Sequence, residues 1–185
     1  MGVTVITGEG KGKTTGALGL ALLALASGQG AAVVQFLKGN SYAGELFAAE
    51  RAGLKIYQFG WGCHWSSLIR SGEMHCTGCG ECFRQNRKPE HGFALKALEF
   101  AGKLADSGEY GLLVLDEVSH ALRRGLLQPG EVAGLITLYR ERVDFVLTGR
   151  HMAAEITGLA DAVCNLKAVK HPFAQGIKSR RGIEY

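Results

Sequence analysis

Gly2-Val3-Thr4-Val5-Ile6-Thr7-Gly8-Glu9-Gly10-Lys11-Gly12-Lys13-Thr14-Thr15 decides the fold. An aliphatic run enters a glycine-rich turn, and Gly-Lys-Thr falls where a helical pattern begins. Such a strand, loop and helix offer successive backbone N–H groups and a helix N-terminus to a polyphosphate. The usual spacing is G-x-x-x-x-G-K-[ST]. Counted back from Gly12-Lys13-Thr14, the first glycine belongs at Thr7; the nearest is Gly8, with three residues between. The loop is one residue short, so the phosphate chain is expected to be held differently from that of an ordinary ATPase. Lys13 is expected to meet the phosphates and the Thr14 hydroxyl to take a Mg²⁺.

Outward from the loop, apolar runs alternate with helical patterns. Strands are predicted at Val3–Thr7, Ala32–Leu37, Lys55–Phe59, Leu112–Asp116, Asp144–Thr148 and Ala162–Leu166. Helices are predicted at Lys13–Ser27, Gly44–Ala52, His91–Ser107, Pro129–Arg140 and His151–Leu159. The alternation predicts an α/β fold, a mostly parallel sheet with helices on both faces. Leu112-Leu113-Val114-Leu115 ends in Asp116-Glu117. At the carboxyl end of a parallel strand these acids face the ligand crevice, where they complete a Mg²⁺ shell directly or through water. Glu117 is either a metal ligand or the group that orients an attacking water.

Composition bounds the alternatives. At 185 residues the chain is expected to form one domain over 1–185, with an insertion at about 60–89. A net charge of +4 without a block of like charges does not imply a nucleic-acid partner. The sequence holds no run of 18 apolar residues, so no membrane span is expected. Strand and loop begin at once, which leaves no signal peptide, and a cytoplasmic location is expected.

Between Gly60 and Pro89 the alternation stops, and four of the five cysteines lie there. Cys76-Thr77-Gly78-Cys79-Gly80-Glu81-Cys82 is C-x₂-C-x₂-C, with Cys63 upstream. That spacing is of the ferredoxin type and predicts a [4Fe–4S] cluster on Cys63, Cys76, Cys79 and Cys82. Zinc, held by four cysteines or by three with His64 or His75, is the alternative. Cys164 is expected to be a small core residue.

Several stretches together resemble the ATP:corrinoid adenosyltransferases of the cobalamin pathway. They are Gly8 to Thr15, Val33-Val34-Gln35-Phe36-Leu37-Lys38-Gly39, Val114-Leu115-Asp116-Glu117, Thr148-Gly149-Arg150, and the tail from Val169-Lys170-His171-Pro172-Phe173 to Gly182-Ile183-Glu184-Tyr185. The resemblance implies a RecA-like P-loop fold, a homodimer, and transfer of the 5′-deoxyadenosyl group of ATP to Co(I) of a corrinoid with release of triphosphate. It implies that Gly8, Glu9, Gly10, Lys11, Gly12, Lys13, Thr14, Thr15 and Arg150 bind ATP, that the ATP lies reversed in the loop, and that an electron donor such as a flavoprotein or ferredoxin supplies Co(I). It also implies a Gly-Phe-x-Trp pair that displaces the corrinoid's lower ligand. Gly62-Cys63-His64-Trp65 keeps the tryptophan, so Trp65 is a catalytic candidate beside Lys13, but has cysteine for phenylalanine. Trp61 is a substitute for that ring, and Leu23 stands where the family has arginine. Two other functions fit the residues: a P-loop ATPase using Glu117 or Arg150, and a metal-stapled redox sensor with a regulatory nucleotide site.

Overall fold

A computed structural model describes residues 2–39, 44–74 and 81–170, without the side chains of residues 69, 70, 81 and 83. Cys76, Cys79, His75 and the tail from His171 lie outside the described residues. Six strands form one sheet: β1 (Val3–Thr7), β2 (Ala31–Phe36), β3 (Lys55–Phe59), β4 (Leu112–Asp116), β5 (Asp144–Thr148) and β6 (Ala162–Asn165). The order is β3-β2-β4-β5-β1-β6, and every pairing is parallel. Each predicted strand is present, with ends moved by at most one residue.

Alternation along the strands divides the core into two layers. Val3, Val5, Leu113, Leu115, Phe145 and Leu147 pack on one face; Ile6, Leu112, Val114 and Val146 pack on the other. The first layer is covered by α4 (Phe93–Asp106), α5 (Val118–Arg123), α6 (Pro129–Tyr139) and α7 (Ala154–Leu159). The second is covered by α1 (Lys13–Ala26) and α2 (Gly44–Arg51). In α4, Ala94, Ala97, Leu98, Ala101, Leu104 and Ala105 are buried, a stripe at helical spacing. In α6, Pro129 stands in the first turn, where its missing N–H costs nothing, and Gln128 and Glu131 close a capping box.

Four short elements lie beyond the predicted ones. A helix α3 (Ser66–Ser71) and 3₁₀ turns at Glu81–Arg87 and Pro89–His91 occupy part of the cysteine-bearing stretch, and α5 follows β4 directly. Helix α4 also starts at Phe93 rather than His91, because Gly92 turns left-handed ahead of it. Cys164 is a correction: β6 is exposed along its whole length, so this cysteine is not a core residue. No described helix is long and apolar enough to cross a membrane.

Candidate active site

All six strands run the same way, so their carboxyl ends deliver their following residues to one rim of the sheet. The loop after β1 is pressed against the segment after β6. The Gly10 N–H donates to the Leu166 carbonyl at 2.7 Å, and a Cβ at Gly8 would collide with Asn165 Oδ1 and the Leu166 carbonyl. Gly8 and Gly12 both have φ of 101°, which glycine adopts freely, and Gly12 caps α1. The loop is therefore held by a backbone contact that leaves no room for a Cβ at Gly8.

Lys13, the first residue of α1, turns back into this loop. Its Nζ donates to the Gly8 carbonyl at 2.8 Å and the Gly10 carbonyl at 2.7 Å. Burial, reinforced by the Arg150 charge, holds its pKa below the usual lysine value. Arg150 Nη1 lies 3.1 Å from Glu9 Oε2, and His151 Nε2 lies 2.8 Å from Glu9 Oε1. Glu9 and Arg150, both assigned to the nucleotide by sequence, thus meet at the outer lip of the loop, joined by a histidine that sequence reasoning did not single out.

Strand β5 lies between β4 and β1, so Thr148 stands between the acid strand and the loop strand. Asp116 is fully buried at the centre. Its Oδ1 accepts from Thr14 Oγ1 at 2.9 Å and Thr148 Oγ1 at 2.6 Å. Its Oδ2 accepts from Gln35 Nε2 at 3.0 Å and Lys38 Nζ at 2.9 Å. Burial alone would raise this carboxyl, but Lys38 and the hydrogen bonds from Thr148, Lys38 and Thr14 hold it below the usual aspartate value. Lys38 responds in the opposite sense: burial opposes its charge, yet Asp116 and Glu117 raise its pKa. Gln58 Nε2 donates to Gln35 Oε1 at 2.8 Å and extends the network to β3.

The acid that meets the Thr14 hydroxyl is therefore Asp116, not Glu117. Glu117 has left-handed backbone with φ of 61°, and its N–H donates to Thr148 Oγ1 at 2.9 Å. Burial raises its pKa; Asp116 adds to the rise, while Lys38, Lys13 and Arg150 oppose it. The hydroxyl of Thr14 and the carboxylate of Glu117 are hard oxygen donors suited to Mg²⁺. Asp116, with both oxygens already engaged, would act through the Thr14 hydroxyl.

On the β3 side of the rim, Trp61, Gly62, Cys63, His64, Ser66 and Gln85 line an open cavity of about 480 Å³. The Trp61 ring packs on His91 at 4.3 Å and Phe93 at 5.6 Å between centroids. Trp61 and Trp65 are both substantially exposed. Cys63 and Cys82 are half-buried, and no group of three or more metal-binding side chains occurs among the described residues. Cys164 lies on the opposite edge of the sheet from β3. Five strand spacings, about 24 Å, separate those edges. It does not share a metal with Cys63.

Lys38, Gln35, Thr148 and His151 are site residues for which sequence reading gave no role. Lys38 and Thr148 sit directly after or at the end of aliphatic runs, a position that could have flagged them; Gln35 is a polar residue inside a fully buried strand.

A loop strand, an acid strand and a strand inserted between them define a P-loop nucleotide-binding protein of RecA-like arrangement. The chain belongs to the ATP:corrinoid adenosyltransferase BtuR/CobO/CobP family, whose model matches residues 2–185. It is 33% identical to a corrinoid adenosyltransferase of a Sinorhizobium species, over 99% of this chain and 79% of that protein. Corrinoid adenosyltransferases of Escherichia coli K12 and Salmonella typhimurium LT2 are 32% and 30% identical, each over 99% of this chain and 85% of the relative.

Proposed function

We propose that this chain moves the 5′-deoxyadenosyl group of ATP onto Co(I) of a corrinoid. The cobalt's electron pair forms the Co–C5′ bond, cobalt becomes formally Co(III), and the C5′–O bond breaks with its pair leaving on triphosphate. The reduced metal is a sufficient nucleophile, so the protein's task is positioning and charge stabilisation. The observation that carries this reading is Asp116: with four donors on its two oxygens it is an electrostatic anchor rather than a base.

Lys13 and the loop amides would neutralise the leaving triphosphate. Glu117 and Thr14 would hold Mg²⁺, which when bound spreads the leaving group's negative charge. Trp61, from the 480 Å³ cavity, and the exposed Trp65 would meet the corrinoid. A homodimer, a cytoplasmic location and a flavoprotein or ferredoxin as electron donor belong to the same proposal. So does one domain over the whole chain, with the 60–89 segment as its insertion.

The cysteine segment would carry a metal centre, a [4Fe–4S] cluster on Cys76, Cys79, Cys82 and Cys63, with zinc as the alternative. Protein purified without oxygen is expected to be brown with about four irons per chain. Colourless protein with one zinc would replace the cluster with the alternative.

One observation favours a hydrolytic second reading: a glutamate of raised pKa beside the phosphate loop suits a general base. Anaerobic incubation with ATP, Mg²⁺ and chemically reduced corrinoid separates the two. A visible spectrum of the alkylated corrinoid together with triphosphate supports transfer; ADP and phosphate without alkylation would replace it with hydrolysis.

A further inference from the structure

Asn86 lies in the 3₁₀ turn at Glu81–Arg87 and is 1% exposed, as deeply buried as any polar side chain outside the phosphate network among the described residues. Its amide spends every hydrogen on two separate loops. Nδ2 donates to the Leu37 carbonyl at 3.0 Å and to the Trp61 carbonyl at 2.8 Å, while Oδ1 accepts from the Trp61 N–H at 2.6 Å. Both donor hydrogens of the amide are therefore used, and its oxygen accepts one bond.

The two loops it joins lead to different places. Leu37 has a left-handed backbone, φ 58°, an uncommon conformation for a residue with a Cβ. The next residue is Lys38, whose ammonium reaches Asp116. Holding the Leu37 carbonyl therefore fixes the direction in which Lys38 leaves the end of β2. Trp61 lines the 480 Å³ cavity. The junction has no slack: a Cβ at Gly39 would collide with the Gly60 carbonyl, and one at Gly60 would stand 2.8 Å from Asn86 Nδ2.

We infer that Asn86 is a positioning residue that registers the phosphate site against the Trp61 cavity, through Leu37-Lys38 on one side and the Trp61 backbone on the other. Nucleotide bound at the Lys13 loop reaches Lys38 through Thr14 and Asp116, whose oxygens accept from both; a shift of Lys38 then moves the Leu37 carbonyl and reaches Trp61 through one amide. This inference rests on the assignment of the Lys13 loop to ATP. It does not depend on what fills the cavity.

The test uses the full chain with Trp65→Phe, which leaves Trp61 as the sole indole of the two in the sequence. Titration with MgATP, without corrinoid, is expected to change Trp61 emission saturably, with the midpoint that calorimetry gives for the same nucleotide. Asn86→Ala, and Asn86→Asp, which keeps size and acceptor but loses both donors, are each expected to abolish the emission change while calorimetric affinity stays within about threefold. A merely structural asparagine would lower the unfolding midpoint and leave the response of the folded fraction intact. An unresponsive Trp61 at saturating MgATP in the Trp65→Phe protein overturns the inference, and so does a full response in either Asn86 variant. Should both Asn86 variants fail to fold, Lys38→Met decides. Loss of the response with ATP still bound supports the coupling; a retained response overturns it. Failure of the adenosyl-transfer reading would appear instead as missing triphosphate in the corrinoid assay, which these titrations do not involve.

Discussion

Asp116 and Lys38 shift in opposite directions for one reason: each is the other's compensation for leaving water. The aspartate is depressed below its ordinary 3.8, so the stability it contributes is present above that value and is lost only as pH falls through the lower folded pKa. The lysine is raised above its ordinary 10.5, so its contribution is present below 10.5 and is lost as pH rises through the higher folded pKa. The phosphate rim is thus expected to stay assembled across the whole neutral range. Glu117 behaves otherwise. Its raised pKa means that the carboxylate needed for a cation is lost at a pH above that of an ordinary glutamate, 4.5. Apparent Mg²⁺ affinity should therefore weaken as pH falls through that higher value. Glu117→Gln should flatten the profile and raise the Mg²⁺ requirement while leaving corrinoid affinity unchanged, as activity titrations at several pH values would show. Lys13→Ala should remove a phosphate-facing charge without touching the core layers. We expect a loss of activity of roughly a hundredfold or more in protein that still folds, with a somewhat lower thermal midpoint because the Gly8 and Gly10 carbonyls lose their donor; activity within about tenfold of the parent would mean that Lys13 does not meet the leaving group.

At the scale of elements, β1, β2, β4 and β5 were legible because each is largely buried and reads as an apolar run, while β6 was legible as an apolar run although it is exposed. Leu112 to Asp116 is such a run, buried at every position. What periodicity could not supply was the lateral order. Gln35, Lys38 and Thr148 become partners of Asp116 only because β2 and β5 flank β4, which no spacing along the chain encodes. Of the six-residue helices described, α7 falls inside the predicted His151–Leu159 but starts three residues later, whereas α3 and α5 hold too little of a helical period to stand out. In the 60–89 segment, attention to cysteines concealed Asn86, a residue whose function is carried by its amide and its burial. Thr148 shows how an inserted strand does more than space its neighbours. Its hydroxyl donates to Asp116 and accepts from the Glu117 N–H, so one β5 side chain fixes both acids. Thr148→Val keeps the shape but leaves the Glu117 N–H unpaired at the start of α5. A cost of about 1–3 kcal/mol is expected in urea unfolding. Thr148→Ser should restore most of it; a valine variant as stable as the parent would show that water replaces the hydroxyl.

For the molecule as a whole, the sheet order separates two kinds of chemistry. The loop after β1 and the rim of β4 and β5 would face phosphate in the proposed reaction, whereas β3 at one edge leads into the tryptophans, Cys63 and the cysteine segment. Cys164 lies on β6, at the far edge of the sheet from β3, so in the proposed metal centre Cys63 or a histidine would be the fourth partner of Cys76, Cys79 and Cys82. A metal centre on the corrinoid side would bear on reduction of the acceptor, not on phosphate release. Cys79→Ala should therefore lose the bound iron and impair adenosylation more strongly when the acceptor is supplied as Co(II) with a mild reductant than as pre-formed Co(I). The comparison is internal, because both assays share ATP binding, triphosphate release and the same folded fraction. Any general damage to the protein lowers both rates in proportion and cancels in their ratio. Iron loss with an unchanged ratio would make the centre a staple for the 60–89 segment, holding Asn86 and the Trp61 loop in place without handling an electron.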